Sequence, residues 1–196
     1  MARKLRIQER GITHHVYSRC IEKRNLLNDH SASDLLVEVT SLAQDKYAFE
    51  LIAYQIMDNH FHFVIRTVKD GESISTIMQY IKARYAERYN RIHERTGPFW
   101  NERFKDKIIE QSDDPIKYCM QLLWYLAFNP IRKNIASDPK SYRYSSINCY
   151  LDENYRSPLK ITLHDYFLWL GNSFNERVSN FLAYGHIFYH TYGISV

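Results

Sequence analysis

The sequence is poor in cysteine and contains no long apolar run. Its three cysteines, Cys20, Cys119 and Cys149, are odd in number and form no Cys-x-x-Cys pair. That argues against a disulfide framework and against a zinc knuckle, and makes a reducing cytoplasm the expected compartment. The longest unbroken apolar stretch, Leu122 to Phe128, is far too short to cross a bilayer. The N-terminal MARKLRIQERGITHH is basic, but no apolar segment follows it, so it does not read as a secretory signal. Internal repeats and low-complexity segments are also missing. What is present is an ordinary globular composition, 45% hydrophobic and 24% charged over 196 residues. That suffices for one packed domain and a small appendage.

Charge is unevenly distributed. Residues 1–24 hold seven Lys/Arg against two Glu, and residues 82–107 hold eight against four acids. Residues 25–81 carry three against eight, and residues 108–196 balance at eight each. The two basic segments are where a polyanion would bind, unless they are ordinary solvated faces.

Periodicity predicts the order β-α-β-β-α-β-α. Residues 12–19 (ITHHVYSR) alternate as a strand. Ser31 or Ser33 is positioned to cap a helix reaching residue 46, with Leu35, Leu36, Val39, Leu42 and Ala43 inward. Two β-rich runs, Tyr47–Ile56 and His60–Thr67, flank the turn-formers Asp58 and Asn59 and should form a hairpin. A long helix follows over 73–95, then a strand over 104–110 and a helix over 113–128 that stops at Asn129-Pro130. Residues 131–150 read as loop with short turns, and 160–190 as two short aromatic-rich helices. The expected class is α+β, an antiparallel sheet with helices mainly on one face, related to the ferredoxin-like arrangement. Residues 1–150 form the expected main domain and 151–196 a helical C-terminal extension.

Two constellations carry chemistry. On the strand beginning at His60, alternate side chains point to opposite faces, so His60 and His62 share one face while Phe61, Phe63 and Ile65 share the other. Two imidazoles so placed can reach one cation. Tyr125 and Asn129 are four apart on a helix and stack on one side. An Asn carbonyl can complete a three-ligand metal site, with the Tyr phenol beside it as a nucleophile toward phosphorus. The competing reading is structural: Tyr118, Leu122, Tyr125 and Asn129 also make an ordinary core stripe, and Tyr80, Tyr85 and Tyr89 are other tyrosines to choose from.

Met57-Asp58-Asn59-His60-Phe61-His62 resembles the Met-Pro-Asn-His-x-His motif of the REP-associated tyrosine transposases. YAERYN (85–90) and RTGPFWNERFK (95–105) resemble that family's middle block. Tyr125 to Arg132 resembles its Tyr-x-x-x-Asn-Pro block, and YRYSS (142–146) its closing Trp-Ser-Ser stretch. The N-terminal ARKLRI and ITHHVYSR segments fit as well. The likeness covers residues 3–150 in family order; Asp58 stands where the family has Pro, and Phe61 is bulkier than the usual Val.

The resemblance implies an HUH endonuclease fold. It implies binding of single-stranded or hairpin DNA from repeated palindromic elements, and cleavage and rejoining through a 5′-phosphotyrosine. On that reading His60, His62 and Asn129 hold a divalent metal and Tyr125 is the nucleophile. The mixed N/O donor set suits Mg²⁺ or Mn²⁺, although Zn²⁺ binds imidazole more tightly. Arg84, Arg88, Arg91, Arg95, Arg103 and Lys105 are candidate phosphate contacts. Arg3, Lys4 and Arg6 are a candidate basic arm. Trp100 is a candidate stacking platform for an unpaired base, or else a plug under the turn. The expected location is the cytoplasm, at the nucleoid, as a monomer or homodimer. The rival reading is a domesticated protein that binds DNA or RNA hairpins on the same fold without cutting.

Overall fold

A computed structural model describes residues 9–193 of the chain. The basic arm expected at Arg3, Lys4 and Arg6 lies outside the described residues. Four strands form one antiparallel sheet: β1 (Thr13–Arg19), β2 (Phe49–Met57), β3 (His60–Thr67) and β4 (Lys105–Ile108). Their spatial order is β2-β3-β1-β4. Asp58 and Asn59 turn β2 into β3, as their turn chemistry requires. In β2 the register shifts between Leu51 and Ala53. This bulge resets the alternation, so that Gln55 pairs across from His62 while Tyr54 pairs with Phe63.

The helices divide between the two faces. α1 (His30–Lys46) and α2 (Ile74–Ile92) bury Leu36, Val39, Ile77, Met78 and Ile81 against Val16, Phe61, Phe63 and Ile65. Asp29, rather than a serine, caps α1 by accepting from the Ser31 amide, and Ser73 caps α2 by accepting from Thr76. On the opposite face lies α3 (Pro115–Ala127), capped by Asp114, with α4 (Asn129–Arg132) directly after it. This second layer buries Ile52, Ala53 and Val64 of the sheet beneath Cys119, Leu122 and Leu123.

The 142–146 stretch closes the outer edge of β2. The Ile56 amide donates to the Tyr144 carbonyl, and the Ser146 amide donates to the Tyr54 carbonyl. The Ser146 hydroxyl in turn accepts from the Tyr54 amide. An edge that would otherwise offer unpaired backbone groups is thereby satisfied.

The C-terminal part differs from its expected form. α5 (Asp165–Leu168) is a single turn, but α6 (Phe174–Tyr192) runs 19 residues. α6 packs along α3: Phe181 stacks on Trp124 at 4.8 Å, and the Trp124 indole N–H donates to the Phe181 carbonyl. Gly185 permits this approach, since a Cβ there would lie 2.6 Å from the Trp124 ring. Glycine is a poor helix former, and close packing is what it serves here. Among the described residues no helix is long and apolar enough to cross a membrane.

His164 ties this layer to β1. Its Nδ1 accepts from the Tyr166 amide as the N-cap of α5, and its Nε2 meets the Thr13 hydroxyl at 3.0 Å. Accepting at Nδ1 requires the neutral ring. Burial first, and then Arg66, lower its pKa below 6.5. The unfolded chain therefore takes up this proton first. The stabilisation is complete above pH 6.5 and is lost as pH falls toward the depressed value. An N-cap contributes about 1 kcal/mol. Thermal melts between pH 7.5 and 5 should therefore fall more steeply for the native chain than for His164→Asn, whose cap does not titrate, by about 2–4 °C. Parallel curves would show that the cap is not the titrating element.

Candidate active site

Strand parity places the two histidines. In β3, Phe61, Phe63 and Ile65 point into the α1/α2 core, so His60 and His62 must face the α3 layer. Their ring centroids lie 5.1 Å apart. β1 adds a second row, because Tyr17 pairs across from His62 and Arg19 across from His60. Tyr17 packs 5.5 Å from the His62 ring, and His15 stacks on it at 5.2 Å.

In each metal-candidate imidazole, Nδ1 meets a protein partner. His60 Nδ1 lies 2.7 Å from Asn59 Oδ1. Asn59 Nδ2 donates to the Lys23 carbonyl, which turns its Oδ1 toward His60, so His60 Nδ1 is the donor. His62 Nδ1 lies 2.9 Å from His15 Nε2, and one of these rings donates to the other. Both arrangements leave Nε2 as the nitrogen able to bind a cation. Such outer partners fix tautomer and ring orientation at metal sites.

All three rings are held neutral. Burial pushes the His60 imidazole down to about 4, helped by Arg19 and Lys133. Burial likewise takes His15 down to about 4, with a contribution from Lys107. His62 falls well below 6.5, through burial first and then its neighbours His15, His60 and Arg19. Neutral imidazole is the form that binds metal.

The α3–α4 layer supplies the remaining groups. Tyr125 sits edge-on to His62 with ring centroids 6.2 Å apart, and the Arg132 guanidinium lies 5.3 Å over the Tyr125 ring. Lys133 is near enough to His60 to depress its titration. Asn129 lies on the chain between these two anchors, one turn beyond Tyr125. It is buried, and its side-chain nitrogen has no hydrogen-bond partner. Gln55, opposite His62 in the ladder, is also buried, and its Oε1 has no partner. Among the described residues no group of three or more His, Cys, Asp or Glu is placed to hold a metal. A cation here would need an amide oxygen beside the two imidazoles. Gln55 Oε1, an unpartnered amide oxygen beside His62 in the sheet, fits that need, and the buried Asn129 side chain adds a second amide.

The comparisons bear on this geometry. The family described as "Transposase IS200 like" matches residues 9–118. The chain belongs to the IS200-like transposase family. The match includes the histidine strand and ends before Tyr125 and Asn129. No curated protein matches the sequence of this IS200-like transposase. Among solved structures, a REP-associated tyrosine transposase bound to a REP hairpin superimposes with a TM-score of 0.65 at 16% identity. That likeness covers 84% of this chain and 94% of the other, and shows the shared fold. A Deinococcus radiodurans protein, provisionally named a transposase, reaches a TM-score of 0.42 at 15% identity, over 68% and 98% of the two chains.

Other expected contacts are dispersed. Arg84, Arg88, Arg91 and Arg95 belong to α2 and its C-terminal turn, on the sheet face away from His60 and His62. Arg84 pairs with Glu87 and Arg88 with Glu38, while Arg95 packs over Tyr89 and Phe99. Of the two roles expected for Trp100, the packing supports the plug and not the base platform. Its indole is only 9% exposed, packs against Phe61, Tyr85 and Phe99, and donates its N–H to the Lys82 carbonyl. It plugs the core under the turn, because a ring of that size is worth more buried than solvated. Arg103 and Lys105 are exposed and lie on the histidine side of β1, beside Tyr17 and Arg19. His15, Tyr17 and Arg19 carried no expected site role, and Asn59 only that of a turn-former. The alternation of ITHHVYSR carried a signal for the first three, since it puts them on one face.

Proposed function

We propose that the chain is a metal-dependent single-tyrosine endonuclease and strand-transfer enzyme acting on single-stranded or hairpin DNA. The observation that carries the reading is Tyr125 set edge-on against His62, in a chain of the IS200-like transposase family. His60 and His62 would hold a divalent cation, Mg²⁺ or Mn²⁺, through Nε2, with Asn129 as the third ligand. Bound there, the cation supplies Lewis-acid polarisation of a phosphate oxygen. With Nε2 so engaged, His62 would keep its proton on Nδ1 and donate a hydrogen bond to His15 Nε2.

The Tyr125 phenol oxygen attacks phosphorus, forming the O–P bond as the bond to the 3′ oxygen breaks. The leaving strand departs as a 3′ hydroxyl, taking up a proton equivalent to the one the phenol loses. The phosphotyrosine ester retains the energy of the broken linkage, so a second 3′ hydroxyl can reverse the step without ATP. Arg132, stacked over the Tyr125 ring, stands beside the charge developing at the phosphoryl group. The likeness to a transposase solved with a REP hairpin supports the choice of substrate class.

Incubating the chain with hairpin-bearing single-stranded DNA and Mn²⁺ should give a covalent protein–DNA species on a denaturing gel, with the adduct mapping to Tyr125 by peptide mass. Tight, salt-sensitive hairpin binding without any adduct, whatever the metal, would identify a non-cleaving hairpin binder instead.

A further inference from the structure

A basic cleft opens beside the histidines and is left unused by the chemistry above. It has a volume of about 310 Å³ and lies between the end of β1, the loop through Lys23 and the turn at 101–105. Arg19, Lys23, Arg103 and Lys105 line it, against the single acid Glu102. Glu102 pairs with Lys105 at 3.3 Å, so Arg19, Lys23 and Arg103 dominate the field. All four cations are exposed. A cleft walled by one sign of charge concentrates counter-ions, and here those are anions.

Its position gives the ligand. Tyr17 forms one wall, with Lys105 6.0 Å over its ring, and the same ring packs against His62. Arg19 is the cross-strand partner of His60. The cleft therefore begins one strand away from the histidine pair, about 5 Å across the sheet. Asn59 joins the two, because it orients His60 with one side-chain atom and holds the Lys23 carbonyl with the other. Lys23 itself is kept at φ 59°, a left-handed conformation that costs free energy outside glycine.

We propose that this cleft binds the phosphodiester backbone of a single DNA strand immediately beside the phosphate presented to the histidines. Arg19, Lys23 and Arg103 supply the charge. The assignment deepens the proposed function and rests on it for the identity of the strand. It also moves the DNA path from the α2 arginines to the β1–β4 side of the sheet.

The test measures binding of fluorescein-labelled oligothymidylate of about 20 nucleotides by anisotropy, in EDTA, across a salt series. Each phosphate contact on a single strand contributes about 0.7 to the slope of log affinity against log salt. The Arg19→Gln/Arg103→Gln double variant should lose about 1.4 of that slope and about tenfold in affinity near 0.1 M salt. Arg156→Gln, remote from the cleft, should match the native chain. An unchanged slope in the cleft variant overturns the proposal. So does an equal or larger loss in Arg84→Gln/Arg91→Gln, which would place the strand along α2. Oligouridylate bound more than tenfold tighter than oligothymidylate would overturn DNA as the source of the backbone. Because EDTA removes cleavage from the readout, failure here is separate from failure to form the tyrosine adduct.

Discussion

Tyr125→Phe should abolish the covalent DNA adduct, a loss on the order of a thousandfold or more, while hairpin affinity stays within about twofold. The change deletes one oxygen from a half-buried ring whose packing is otherwise retained. The ring keeps its edge contact with His62 and its place under Arg132. Stability should therefore move by less than about 0.5 kcal/mol. The measurement is adduct yield on a denaturing gel with Mn²⁺ present, beside anisotropy in EDTA. A normal adduct in the variant would remove Tyr125 from the chemistry. Cleavage that persists without an adduct would point to an activated water instead, and to a hydrolase.

His62→Ala should be nearly as damaging, for another reason. It removes one of two imidazoles that offer Nε2 to a cation, and calorimetry should show Mn²⁺ binding lost as well as adduct formation. His60→Ala should behave in the same way. His15→Ala should cost less, about 10–100-fold in metal affinity, because His15 acts only through Nδ1 of His62. The His62 variant leaves His15 Nε2 buried without a partner, which costs about 1–3 kcal/mol. Its folded fraction must therefore be checked by circular dichroism before activity is compared. Mn²⁺ binding that survives both His60→Ala and His62→Ala would place the cation elsewhere. Loss of binding in His15→Ala equal to that in His62→Ala would make His15 a direct ligand.

Much of this site was legible in the sequence because its signals are local. Alternation in HFHFVI set the histidines on one face, and the helical pattern over 113–128 marked the segment that brings Tyr125 against His62. The Asp58-Asn59 turn fixed the β2–β3 hairpin, and with it the start of the histidine strand. What escaped depends on pairings between distant residues. His15 meets His62 because β1 inserts between β3 and β4. Gln55 faces the same layer only because a bulge near Ile52 resets β2. The α2 arginines made a convincing basic run, yet a periodic pattern does not say which side of a sheet its helix will cover. Trp100 likewise reads as a platform or a plug until the packing of Phe61, Tyr85 and Phe99 around it is known.

The contact between Gly185 and Trp124 limits how the segment carrying Tyr125 can move. Trp124 and Phe128 lie on the back of the segment that carries Tyr125, and residues of α6 cover both rings. Separating that segment from α6 would hydrate two large aromatics, roughly 300–500 Å², at a cost of about 8–12 kcal/mol. Any displacement of Tyr125 would therefore have to take the C-terminal helix along with it as one body.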